Sequence, residues 1–336
     1  MSTSHYAPDS LLYYHALLNG KKNFNSQDAR RYEQIFKGYL GERRLEEILV
    51  QFDQSRVFPL FNLLYEINGS EFQIDVVLLT SNTIYLLEVK NFTGDYIIEN
   101  NKIYSLHSRM QIYNPLHQLE RTELLFKKLL ENFNIKMKIS SHVVFINPRF
   151  VLYGAQVQSP FLFASQVERF LKRIVGTKSP LTQKIYVLAE RLSKASNHSS
   201  IYNRFPKINK SEIKKGTYCI YCFQSLERKN ITSFHCKNCN KQFKNEEIIL
   251  QIVYQRYVLF PEDQVTVGKV AGWCNHKISK PTIRRILTNH FNIRENGRYT
   301  VYTFKQKNQH REFLSKYINE KVKEESEQIK ISLTLA

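Results

Sequence analysis

Apolar positions in this chain recur every second residue in some stretches and every three to four in others, and the two periods predict its elements. Phe72, Ile74, Val76 and Leu78 are spaced as the inward face of a strand, with Asp75 on the opposite face. Ile84 to Lys90 reads as a second strand, on which Glu88 and Lys90 share one face and Val89 takes the other. Ser81-Asn82 supplies a short turn, so the two strands form an antiparallel hairpin. Leu45, Ile48, Leu49 and Phe52 give the apolar stripe of a helix over residues 37–52, and Glu42 falls on that stripe three residues earlier. Asn114-Pro115 opens another helix, in which Gln118 shares a face with Leu125 and Leu129. Residues 142–147 read as a buried strand ended by Pro148. Ser165 and Glu168 suggest a capping box before a helix through Val175, and Ile185, Leu188 and Leu192 mark a further helix.

Farther along, residues 260–304 have the layout of a winged helix-turn-helix. Thr266 caps a short helix reaching Trp273, residues 275–278 turn, and Ser279 caps a second helix with Ile283, Ile286, Leu287 and His290 inward. Its other face offers Lys280, Thr282, Arg284, Arg285 and Asn289, with Lys277 just before it, as donors to phosphates and base edges. Residues 293–303 then form a wing-like hairpin turning at Asn296-Gly297, flanked by Arg294 and Arg298. A small α+β module with a solvated basic helix fits the same pattern.

Charge sharpens this division. Residues 201–336 carry 25 Lys and Arg against 12 Asp and Glu, while residues 1–200 carry 24 against 18. The C-terminal part is therefore the expected grip on a polyanion. A generally Lys- and Asn-rich composition accounts for some of the excess but not for its asymmetry. No run of eighteen apolar residues and no secretory leader is legible, which points to a cytoplasmic protein without a membrane partner.

Four of the five cysteines lie within 21 residues, as Cys219-x-x-Cys222 and Cys236-x-x-Cys239. Two such turns can close a thiolate tetrahedron around Zn²⁺, a structural role because no coordination position stays open. A disulfide framework is the rival reading, disfavoured by the cysteine-poor remainder of the chain.

The chemistry of the hairpin is of another kind. Asp75 and Glu88 are oxygen ligands suited to Mg²⁺ or Mn²⁺, and Lys90 can stabilise charge developing on a phosphate or orient the attacking water. Exposed Asp, Glu and Lys are common on hairpins, so the pattern by itself also suits a solvated strand. Its neighbours add weight: Gly41-Glu42, Gln73-Ile74-Asp75, Leu87-Glu88-Val89-Lys90-Asn91, Gly94 and Asn114-Pro115-x-x-Gln118. Together, over roughly residues 37–130, they resemble the NERD (nuclease-related) domain of the PD-(D/E)xK restriction-endonuclease-like superfamily.

The resemblance implies an α/β fold, a mixed sheet flanked by helices, with Glu42, Asp75, Glu88 and Lys90 as the catalytic set and Gln118 as an accessory. The expected organisation is an N-terminal helical extension (1–30), the nuclease-like domain (31–195), a linker (196–217), a zinc ribbon (218–250), a winged-helix-like module (251–310) and a charged tail (311–336). The N-terminal helix is expected to dock on the nuclease core. The function expected is metal-dependent endonuclease or nickase activity, most simply on double-stranded DNA, with defence or mobile-element processing as the setting suggested by analogy. A homodimer is one open assembly. A DNA-binding regulator with a silent nuclease fold is the competing reading, and an RNA-processing enzyme a third.

Overall fold

The structure is a computed structural model that describes residues 6–23, 25–177, 179–197, 205–296 and 299–334. Two compact units emerge: of the described residues, 37–197 form one, and 6–36 together with 205–334 form the other. Two helices open the chain, α1 (Asp9–Gly20) and α2 (Ser26–Leu49). Then come β1 (Phe58–Ile67), β2 (Ser70–Leu79), β3 (Thr83–Lys90), β4 (Gly94–Glu99), β5 (Lys102–Ser105), β6 (Gln111–Ile112), α3 (Pro115–Asn132), β7 (Lys138–Phe145), β8 (Phe150–Tyr153), β9 (Phe161–Phe163), α4 (Ala164–Thr177) and α5 (Gln183–Ala195).

The first unit is built on a five-stranded mixed sheet in the order β1-β2-β3-β7-β9, antiparallel as far as β3 and parallel beyond it. Strands buried on both faces read as nearly continuous apolar runs. β3 does so, with Ile84 and Leu86 packing toward α3 and α5 while Leu87 and Val89 pack toward α2 and α4. A second sheet, β6-β5-β4-β8, closes a smaller core around Phe145 and Phe150. Gly94, at φ +94°, turns the chain from β3 into this sheet. The capping box expected at Ser165 and Glu168 does not form. The helix starts at Ala164, Gln166 Oε1 accepts the Phe163 N–H at 3.0 Å, and Glu168 pairs with Lys172.

The second unit follows with β10 (Glu227–Arg228), β11 (Ser233–His235), β12 (Gln242–Lys244), α6 (Asn245–Leu259), α7 (Val267–Trp273), α8 (Lys280–His290), β13 (Phe291–Asn296), β14 (Tyr299–Phe304) and α9 (Gln309–Thr334). α6 is buried on nearly every side, from Ile248 to Arg256. A helix buried all round needs cover on every face, and α1, α7, α8 and α9 supply it.

Two expectations change here. α1 packs on α6 through Tyr13, Ala16 and Leu17, with Ile213 and Leu259, so its partners are C-terminal in sequence and not the nuclease-like sheet. The segment expected as a charged tail is α9, whose Leu314, Tyr317, Ile318 and Val322 are buried on a single helical stripe. Of the expected linker, the described part from 205 onward sends Phe205, Ile208 and Ile213 into the α1 core. Among the described residues no helix is long and apolar enough to cross a membrane.

Candidate active site and metal centre

The hairpin forms as its sequence requires, with Thr80 and Thr83 closing the turn and Val76 pairing with Leu87. The β2–β3 ladder stops there, one residue short of Asp75. A break in β1 explains why. Asn62 has φ +51°, a left-handed conformation that Asn tolerates better than other side-chain-bearing residues. The β1–β2 register runs from Phe61–Val76 to Leu63–Ile74 and skips the Asn62–Asp75 position.

Across that step the strands reverse the faces they present. Phe72 and Ile74 join the core under α3 and α5, whereas Val76 and Leu78 join the core under α2 and α4. The simple alternation that put Phe72, Ile74, Val76 and Leu78 on one face therefore fails at Asp75. The reversal splays β2 from β3, and Asp75 Oδ2 takes the Val89 N–H that a ladder carbonyl would otherwise hold, at 2.8 Å.

Glu88 and Lys90 share a face as their spacing demands. Lys90 Nζ lies 2.6 Å from Glu88 Oε1 and 3.1 Å from Gln118 Oε1, so β3 and α3 meet at the ammonium. Gln118 is placed by the start of α3, where Asn114 Oδ1 accepts the Leu116 N–H and Pro115 fills the first helical position. Glu88 is only 3 % exposed. Burial holds its carboxyl above the ordinary range, Lys90 works against this, and Glu42 adds to it. Asp75 is raised well above its ordinary value, first by burial and then by the charges of Glu88 and Glu42.

Glu42 reaches the site from α2, and Gly41 is what lets the helix come close enough. A Cβ at position 41 would lie 2.7 Å from the Asn91 Cβ at the end of β3. Asn91 Nδ2 in turn donates to the Lys37 carbonyl at 2.7 Å. Asn62, which the sequence did not single out, and Gln73, quoted there only as part of a motif, complete the arrangement. Asn62 Nδ2 donates to Glu42 Oε2 at 3.1 Å, and Gln73 Nε2 donates to Asn62 Oδ1 at 2.8 Å. An Asn inside an otherwise apolar strand was the signal available for the first.

Among the described residues, Glu42, Asp75 and Glu88 do not draw together into a compact group of three ligands. The donor set fits a hard cation held by one or two carboxylates, with water or phosphate oxygens filling the remaining positions.

The four cysteines do form such a group, with every Sγ within 4.8 Å of the others. Cys219–Cys239 and Cys222–Cys236 sulfurs are 3.5 and 3.4 Å apart, close to the roughly 3.8 Å edge of a tetrahedron with 2.3 Å Zn–S bonds. Each CxxC turn ends in a left-handed residue, Phe223 (φ +63°) and Asn240 (φ +57°), and carries its own backbone bond, Cys219 N–H to Gln224 O and Cys236 N–H to Lys241 O. The first turn precedes the three-stranded sheet β10-β11-β12, and the second joins β11 to β12. Burial pushes the Cys219 thiol up. Burial opposes the shift at Cys236, but the Cys239 and Asn238 N–H groups and the Cys222 thiol bring it down to about 7. The cluster fits a zinc ribbon.

Beyond it, α7, a turn with Asn275 and His276 left-handed, α8 and the β13–β14 hairpin succeed one another, and Val265 bridges to Tyr302. Thr266 caps α7 through the Lys269 N–H. Ser279 stands at the start of α8, but its hydroxyl pairs with Thr282 Oγ1. Ile283, Ile286 and Leu287 are buried, while His290 sits at the edge of the stripe against Glu246. Lys277, Lys280, Arg284, Arg285, Asn289 and Arg294 are exposed and Thr282 is half-buried. Lys277 Nζ leans back toward the Leu226 carbonyl at 3.4 Å. Arg298 and Gly297 lie outside the described residues.

Comparison with curated proteins and with solved structures finds no match. A family model does match, over residues 37–146, described as "Nuclease-related domain". That segment contains Glu42, Asp75, Glu88, Lys90 and Gln118, so the chain carries a nuclease-related domain that includes these side chains.

Proposed function

We propose that this protein is a metal-dependent DNA endonuclease or nickase. The observation that supports it most is the meeting of Glu88, Lys90 and Gln118 beside Asp75, where β2 and β3 splay. Asp75 and Glu88 would hold Mg²⁺ or Mn²⁺, and Glu42 would act on it through water. When bound, the cation lowers the pKa of a coordinated water and offsets charge on the phosphate. Lys90, whose ammonium lies 2.6 Å from Glu88 Oε1, would donate to the phosphate oxygens where charge grows. Gln118 holds the ammonium in position through Oε1, and Asn62 orients Glu42. Burial and the neighbouring acids raise the Asp75 and Glu88 carboxyls, so cation affinity should climb with pH.

The cysteine cluster would hold structural Zn²⁺. The exposed donors Lys277, Lys280, Arg284, Arg285 and Asn289 of α8 and its approach, with Thr282, would grip duplex DNA in the manner of a winged helix, aided by Arg294 on the hairpin. A homodimer would supply the two sites needed to cut both strands. Action in the cytoplasm on foreign DNA or mobile elements is the setting that the family resemblance suggests.

The test is incubation with supercoiled plasmid, linear duplex and single strands in Mg²⁺, Mn²⁺ or EDTA. Wild type should nick or linearise plasmid only with the cation, and Lys90→Ala should be slower by about 100-fold or more. Salt-sensitive duplex binding with intact DNA throughout would leave the DNA-binding regulator.

A further inference from the structure

Inside the second unit, walled by α1, α6, the end of α7 and the segment leading into Cys219, lies a small cavity of about 30 Å³ whose polar lining includes Asn19, Lys214, Tyr218, Gln255 and Arg256. Gln255 is 7 % exposed; its Oε1 faces Gln251 Nε2 at 3.4 Å, but its own Nε2 is buried with no partner. Arg256, 8 % exposed, holds its guanidinium 5.4 Å over the Trp273 ring and forms no ion pair among the described residues. Asp263 acts on Arg256 electrostatically, yet its carboxylate is engaged by Lys210. Lys214 Nζ lies 4.1 Å over the Tyr218 ring and pairs with no carboxylate among the described residues. Burial lowers both cations' pKa values. Asn19, also on the wall, already donates to the Cys219 carbonyl.

Two cations and an orphaned amide around one void are an unbalanced arrangement. Water could satisfy the amide, and the volume admits roughly two molecules, but water brings no charge to meet Arg256 and Lys214. A nucleobase is too large. We propose that the cavity binds a single phosphate-class oxyanion, held by the Arg256 guanidinium and Gln255 Nε2 with Lys214 at its rim. Such an anion would tie α1 to α6 and α7. The inference is independent of the nuclease reading.

The test uses the full chain in phosphate-free buffer, followed by thermal unfolding and calorimetric titration. Inorganic phosphate should raise the melting temperature by about 3 °C more than chloride at equal ionic strength. Gln255→Leu should bind phosphate about tenfold more weakly, yet be no less stable without it, because it removes an unsatisfied donor. Lys214→Met, at the rim, should weaken binding too and serves should Arg256→Met not fold. A second arm compares 5′-phosphorylated with unphosphorylated oligonucleotide. A shift with inorganic phosphate that the variants lose supports a free anion, and one with phosphorylated oligonucleotide that they lose supports a nucleic-acid terminus. No shift in either arm, or one equal in wild type and variants, overturns the proposal.

Discussion

The cysteine cluster and the proposed carboxylate site are candidate ligand sets built in opposite ways. The cysteines come from two short turns within 21 residues, and their sulfurs already lie within 4.8 Å of one another. The carboxylate site draws on α2, β2, β3 and α3, from residue 42 to residue 118, and keeps its acids apart with Lys90 seated on one of them. A closed soft-ligand site supplies folding energy; an open hard-ligand site leaves room for substrate and stores unfavourable charge. The lesson is that the first should fail by unfolding and the second by losing chemistry.

The largest effect should come from Cys236→Ser. Metal content should fall from about one zinc per chain to near zero, with melting lowered by more than ~10 °C or soluble protein lost, since structural zinc contributes on the order of 10 kcal/mol. Gly41→Ala comes next. The added methyl would overlap Asn91, so a loss of about 1–3 kcal/mol is expected in denaturant unfolding.

Asn62 separates two roles. Asn62→Gly keeps the left-handed backbone and Asn62→Ala does not, so Ala should be less stable than Gly by about 1–2 kcal/mol. Both should share the same loss of cleavage rate if the bond to Glu42 is what matters. The smallest effect, and the one of opposite sign, belongs to Asp75→Asn. A carboxyl raised in the folded state from its usual 3.8 stabilises folding below that pH. This contribution is lost as pH rises through the folded value. Without metal at pH 7.5, Asp75→Asn should melt about 2–4 °C higher than wild type, and at pH 3 the two should coincide. A zinc-type collapse at position 75, or a mere activity loss at Cys236, would break the contrast.

Much of this was readable in local pattern. The hairpin, the shared face of Glu88 and Lys90, the Asn114 cap and the two cysteine turns each depend on residues a few positions apart. The face reversal at Asp75 was not, because strict alternation carries no mark of a left-handed residue on the neighbouring strand; Asn62 hinted at it only by being polar in an apolar run. The partners of α1 were hidden for another reason, since its apolar face fits any core and only tertiary packing chose α6. The stripe of α9 was obscured by the charges interleaved with it.

α9 carries a practical consequence. Its stripe of Leu314, Tyr317, Ile318 and Val322 is part of the cover over α6, a helix with almost no polar side of its own. A chain cut before Gln309 would bare the surface of α6 that α9 covers, and its self-association could easily be mistaken for a natural oligomer. Tags and truncations for any assay of this protein are therefore best kept clear of α9.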